Sequence, residues 1–213
     1  MEQFSGFPEA ALDFYDDLEL DNTRSYWEAH KHVYTEAVQA PMLALTAALT
    51  QEFGTAKVFR PYRDVRFAKD KTPFKNHQGA FVARGPATGW YVQIGAPGVR
   101  VGAGFYRAEA PDLARIRAAV DTEHSGQELE RILATLEAAG FSIEGEQLKT
   151  SPRGFPGDHP RIGLLRHKSL TAGRSYGFEG VIHTPGLLDR VRADWTALRP
   201  LVEWISARTD IIG

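Results

Sequence analysis

Residues 79–106 read GAFVARGPATGWYVQIGAPGVRVGAGFY, and this stretch decides the fold. It breaks into three strand candidates, near 79–84, 89–95 and 99–106, with Ala96-Pro97-Gly98 as a turn signal between the last two. In the third run Val99, Val101, Ala103 and Phe105 alternate with Arg100, Gly102, Gly104 and Tyr106, the two-residue period of a pleated strand with one apolar face. Connections this short join neighbours that run in opposite directions, so the three runs form an antiparallel meander.

On the N-terminal side the period is helical. Pro8 suits a first helical turn, and Leu12, Tyr15 and Leu18 recur close to every 3.6 residues, which predicts a helix over 8–19. Asn22 is a good N-cap for a second helix that carries Trp27, Tyr34 and Val38 and ends near Pro41. A third, over 42–52, carries Met42, Leu45 and Leu49 and stops at Gly54. Between these helices and the meander, VFRPYRDVRFA (58–68) alternates again, with Phe59, Arg63, Val65 and Phe67 on one face and Arg60, Tyr62, Asp64 and Arg66 on the other. Pro61 marks an edge or a bulge.

Beyond the meander, residues 110–139 return to helical spacing in two pieces closed by Gly140, and short strand candidates lie near 163–170 and 175–183. A last helix over 187–208 carries Leu187, Val191, Trp195, Leu198 and Val202. Helices before and after a block of antiparallel strands define an α+β class: a central antiparallel sheet flanked by N-terminal and C-terminal helices. A chain of 213 residues with no repeat and no long linker reads as one domain, 1–213.

Apolar residues make up 43% of the chain and charged ones 24%, which excludes a disordered, collagen-like or coiled-coil protein. There is no Cys, hence no disulfide and no thiol nucleophile. The start, MEQFSGFPEA, shows no signal peptide, and no apolar run approaches the roughly 18 residues of a membrane span. A cytoplasmic protein with no membrane partner is the expectation.

Net charge is only −2, but it is sorted along the chain. Residues 1–56 hold ten acids against two bases, whereas residues 57–107 hold ten bases against Asp64 and Asp70 alone. Such a block concentrates anions near the surface, whether nucleic acid or an acidic metabolite, unless the acidic helices pack beside it and neutralise it. Its densest part runs from Arg60 to Lys75, with six bases and two acids in sixteen residues. Arginine supplies planar bidentate donors for phosphate or carboxylate and lysine a mobile point charge, while Asp64 and Asp70 could hold those side chains in place. The same pattern is also that of a structural salt-bridge lattice on a sheet face.

Arg60 to Lys75 resembles the signature of the bacterial domain-of-unknown-function family 2461, and the resemblance extends along most of the chain. It includes Asp21-Asn22-Thr23-Arg24-Ser25-Tyr26-Trp27 at a helix start, and Gly102, Gly104 and Tyr106 before a helix. It continues through Leu148, Lys149, Pro152, Arg153 and Gly154 to His159, Pro160, Leu164, Leu165 and Lys168. Phe74 stands where the family usually shows Tyr. The resemblance implies no activity.

Residues 149–174 form a second basic stretch, six bases against Asp158, in a region rich in Gly and Pro where ligand-contacting residues tend to be found. The two motifs are expected to meet in one site. Gly102 and Gly104, lacking side chains, would admit a ligand or a helix backbone. The segment Gly173-Arg174-Ser175-Tyr176-Gly177 fits a nucleophile elbow, but no helix follows it directly, and the acid and His after it, Glu179 and His183, are too close in sequence for the usual triad. There is no P-loop, and Gly102-Ala103-Gly104 lacks the third glycine of a dinucleotide fingerprint. His30 and His32, or Glu179 and His183, lack a third convergent ligand, so no metal site is assigned.

The leading expectation is a site for a phosphate- or carboxylate-bearing small molecule, formed by Arg60, Arg63, Asp64, Arg66, Lys71 and Lys75 together with Lys149, Arg153, His159, Arg161 and Lys168. His159 is the candidate proton carrier. Asp64, Arg60 and Arg66 should cluster on one strand face, with Arg63 buried against an acid of the N-terminal region. A nucleic-acid module, with Tyr62, Phe67, Phe74, Trp90 or Tyr91 stacking on bases, is the alternative, although an isoelectric point near 6.4 is low for one. A third reading is a protein-interaction domain using the acidic N-terminal region. Cofactor, reaction and oligomeric state are not assigned.

Overall fold

The meander of residues 79–106 forms as its alternation requires: β2 (His77–Gly85), β3 (Thr88–Gly95) and β4 (Gly98–Phe105) run in sequence through the middle of a six-stranded antiparallel sheet. These coordinates, a computed structural model, describe residues 3–66 and 69–209. β1 (Ala56–Val58) pairs with β2, and β6 (Leu170–Gly177) joins β4 to β5 (Ser142–Glu144), giving the order β1-β2-β3-β4-β6-β5. The fold is α+β, with helices flanking the sheet.

The chain divides into two compact units: Met1–Val82 with Tyr91–Val101 and Ser175–Ala193, and Ala83–Trp90 with Gly102–Arg174 and Asp194–Gly213. The first is built on aromatics. From α1 (Ala10–Leu20), Phe14, Tyr15 and Leu18 are buried. α2 (Arg24–Val33) buries Trp27, whose ring stacks on Phe74 at 4.2 Å between centroids and 8° between planes. Thr23 rather than Asn22 caps α2, accepting from the Tyr26 amide at 3.2 Å.

The second helix does not end at Pro41. It widens into a π-helical turn, Tyr34–Gln39, and continues as α3 (Ala40–Phe53), with the Ala40 amide donating to the Thr35 carbonyl. Proline lacks an N–H and crowds the carbonyl four residues back, so the wider turn lets the helix pass through it.

In the second unit α4 (Ala110–Asp121) and α5 (Glu123–Ala138) follow the spacing read from the sequence. The indole of Trp90 donates to the Trp195 carbonyl at 2.9 Å within its core. Residues 163–170 were expected as a strand, but Ile162–Leu165 make one helical turn, α6, whose Leu165 carbonyl accepts from Arg117 Nε at 2.9 Å. Of the candidate at 175–183, only the first part is strand: β6 ends at Gly177 with φ +55°, and Gly180–His183 form a 3-10 turn. The last helix, α7, spans Gly186–Thr209. Gly104 admits neither ligand nor helix. Its φ is +134°, and a Cβ there would meet the Leu170 carbonyl and lie 2.8 Å from Thr171 Cα, both of strand β6.

Candidate functional site

The basic segment 60–75 belongs to the first unit and is not a regular strand. Tyr62 and Phe74 form an isolated antiparallel bridge, with the Arg63 amide on the Pro73 carbonyl at 2.9 Å and the Lys75 amide on the Pro61 carbonyl at 2.8 Å. The described residues between them form no regular strand. Asn22 clamps the return limb, donating from Nδ2 to the Phe74 carbonyl and accepting from the Phe74 amide, both at 3.1 Å. The side chain read as a helix cap therefore holds a chain segment 52 residues away.

Within the loop, acids meet bases locally. Arg66 makes two bonds to Asp64, from Nε at 2.9 Å and from its terminal nitrogen at 2.7 Å. Arg63 pairs with Asp70 and donates to Thr72 Oγ1 at 2.5 Å. The Thr72 amide, first, and Arg63 hold the Asp70 carboxyl down at about 2. Lys71 Nζ donates to the Val65 carbonyl at 2.9 Å.

These contacts correct the strand-face picture. Arg63 keeps 33% of its side-chain surface exposed and takes its acid from Asp70, not from the N-terminal helices. Pro61 interrupts pairing, and the short Asp and Thr side chains offer the backbone closer partners than a strand ladder would. Asp64 does find Arg66, but across a turn and not along a strand. Phe67 lies outside the described residues. Of the other stacking candidates, Phe74 and Trp90 are buried and Tyr91 is engaged by Gln93 at 3.0 Å, while Tyr62 remains 46% exposed.

Four bases of this segment, Arg60, Lys69, Lys71 and Lys75, form no ion pair among the described residues, although the Arg60 charge reaches Asp64. The Arg60 guanidinium is exposed, and Lys75 is half-buried. Lys75 Nζ donates to the Arg60 carbonyl at 2.9 Å and sits 5.3 Å from the centre of the Phe59 ring. Burial, and then the neighbouring Arg60 charge, lower its pKa. Lys75 and Arg63 border a cleft of about 480 Å³. Glu19, Asn22, Phe74, Asn76 and His77 also line it. His77 opens β2, where Gly95 makes room for it: a Cβ at Gly95 would lie 3.1 Å from His77 Cβ and 2.8 Å from the Asn76 carbonyl. Burial, and then Lys75, lower the pKa of its imidazole. Sequence reasoning missed His77 and its neighbours. The signal was there in Lys75-Asn76-His77-Gln78, four polar residues that lead into the apolar run of β2.

The second motif lies in the other unit. Arg161 is buried and donates from Nε to the Val120 carbonyl at 2.8 Å, with Glu123 at 2.8 Å and Glu130 at 3.7 Å from its terminal nitrogens. His159 Nε2 meets Asp121 at 3.0 Å, and its Nδ1 accepts from the Arg161 amide. Lys168 pairs with Glu146. Lys149 and Arg153 are exposed and make no side-chain bond or ion pair among the described residues.

No helix of the described residues is long and apolar enough to cross a membrane. Fold and cleft together define an α+β protein with a small polar cleft bordered by Lys75 and Arg63. Residues 10–204 match the family of conserved hypothetical proteins DUF2461, and the chain belongs to that family. No curated protein matches it. Among solved structures it is similar to an uncharacterized protein from Methanothermobacter thermautotrophicus, at 14% identity and a TM-score of 0.41, covering 80% of this chain and 98% of that one.

Proposed function

We propose that the cleft beside residues 60–77 binds a small molecule bearing a phosphate or carboxylate group. The observation that carries this reading is Lys75. A half-buried ammonium normally has a carboxylate beside it, because withdrawing a charge from water without one is unfavourable. Among the described residues Lys75 bonds only a carbonyl and faces a ring; burial, and then a second cation, Arg60, lower its pKa. An anion in the cleft would supply the missing partner, with Arg63 as the second donor and the Asn22 clamp keeping the loop in place. Asp70 serves the same end by fixing the Arg63 fork.

Calorimetric titration of the full chain with pyrophosphate, malonate and a short oligonucleotide tests the reading. Binding of either small anion, weakened about tenfold or more in Lys75→Met, is the expected result. Binding of the oligonucleotide alone, or small-anion binding untouched by the substitution, would replace it with the nucleic-acid reading or move the site elsewhere.

A further inference from the structure

The tautomer of His77 follows from a chain of hydrogen bonds. Glu19 Oε1 can only accept, so the group facing it at 3.4 Å is the Nδ2 amide nitrogen of Asn76. That turns Asn76 Oδ1, also an acceptor only, toward His77, and the ring nitrogen 3.0 Å away, Nδ1, carries the hydrogen. A neutral imidazole protonated at Nδ1 presents a lone pair at Nε2. Among the described residues no protein group bonds to Nε2, and that atom is not sealed from solvent.

Four charged side chains share the cleft with this ring: Lys75 and Arg63, Glu19 and Asp70. Arg63 and Asp70 neutralise each other. Burial, and then Lys75, disfavour a second positive charge on the ring and so favour its neutral form, while Glu19 is turned to the Asn76 amide. The ring's lone pair then repels any anionic oxygen brought to it, whereas an Nε2–H would attract one. An anion beside Lys75 also cancels the charge that kept the ring neutral.

Resting on the reading of this cleft as an anion site, we propose that it is a proton-coupled one: an oxyanion of the phosphate or carboxylate class enters with one proton, which Nε2 of His77 takes from the solvent buffer. In the complex Nε2–H donates to the anion, Nδ1–H stays on Asn76, and no other bond is made or broken. Release of the anion returns the proton to solvent. Asn76 and Glu19 act as positioning residues, because they decide which nitrogen is free to accept.

Sulfate is the probe, since its charge is constant between pH 6 and 8. It is titrated calorimetrically into the full chain in two buffers of different ionisation enthalpy. The expected result at pH 7.5 is uptake approaching one proton per sulfate, with affinity falling by about tenfold per pH unit. In His77→Gln, whose amide can donate without protonation, sulfate should still bind while buffer and pH dependence disappear. Nitrogen NMR of the free protein should show His77 protonated at Nδ1 only. Binding with no proton uptake, uptake unchanged in His77→Gln, or a free ring protonated at Nε2 would overturn the coupling and leave the anion site standing. Absence of sulfate binding to the wild-type chain would overturn both.

Discussion

Residues 60–77 and residues 149–168 look alike as sequence, basic stretches broken by Pro and Gly, but their charges end in different places. In the second stretch the key bases are absorbed by structure. Arg161 joins the α4 carbonyls to Glu123, His159 meets Asp121 and Lys168 meets Glu146. In the first stretch the acids lie within the loop itself and neutralise Arg63 and Arg66, yet Lys75, at the edge of a cleft, forms no ion pair among the described residues. Density of positive charge does not separate a binding site from a scaffold; what separates them is whether each burial-constrained base already has its counter-charge.

The strongest way to break the first region is from beneath. Trp27 is 1% exposed and stacked on Phe74, so Trp27→Ala should lower stability by about 3–5 kcal/mol in urea unfolding and abolish anion binding with it. Next comes the control in the second region. Arg161→Met leaves the Val120 and Asp121 carbonyls without their donor, and should lower Tm by several degrees while anion affinity stays as in the wild type. Loss of anion binding in that variant would erase the distinction between the regions.

Lys75→Met sharpens it from the other side. Removing one charge-assisted contact should weaken pyrophosphate binding about tenfold or more. Tm should hold or rise, since a half-buried ammonium without a carboxylate is being removed.

A smaller effect concerns pH. The folded imidazole of His77 binds its proton less readily than the unfolded chain does, so stability present above the ordinary value of 6.5 is lost as pH falls through it. Between pH 7 and 5.5 the wild type should lose more stability than His77→Gln, as followed by denaturant midpoints. His167 is depressed by burial in the same direction and contributes equally to both chains. The smallest effect is expected for Arg66→Ala: its side chain is 77% exposed and paired only with Asp64, so Tm should not move.

The meander was legible because alternation is a local signal, and β2, β3 and β4 begin and end within about two residues of the expected bounds. The segment 58–68 alternates just as well, but Pro61 and the nearby Asp and Thr side chains divert its described part after Val58 from a regular strand. Asn22 and His77 were illegible for another reason. Their roles depend on partners 52 residues apart for Asn22 and, through Asn76, 57 residues apart for Glu19, distances that no window along the chain reveals. The two basic motifs were legible as motifs, whereas the counter-charges that distinguish them were not: Glu123 lies 38 residues from Arg161.

The central claim is that Lys75 awaits an anion, and the most direct measurement is anomalous diffraction from crystals of the full chain soaked in selenate. A selenium peak in the cleft, with an oxygen at about 3 Å from Lys75 Nζ and absent in crystals of Lys75→Met, is the predicted result. Selenium confined to Lys149 and Arg153, or a cleft without density at saturating selenate, would contradict it.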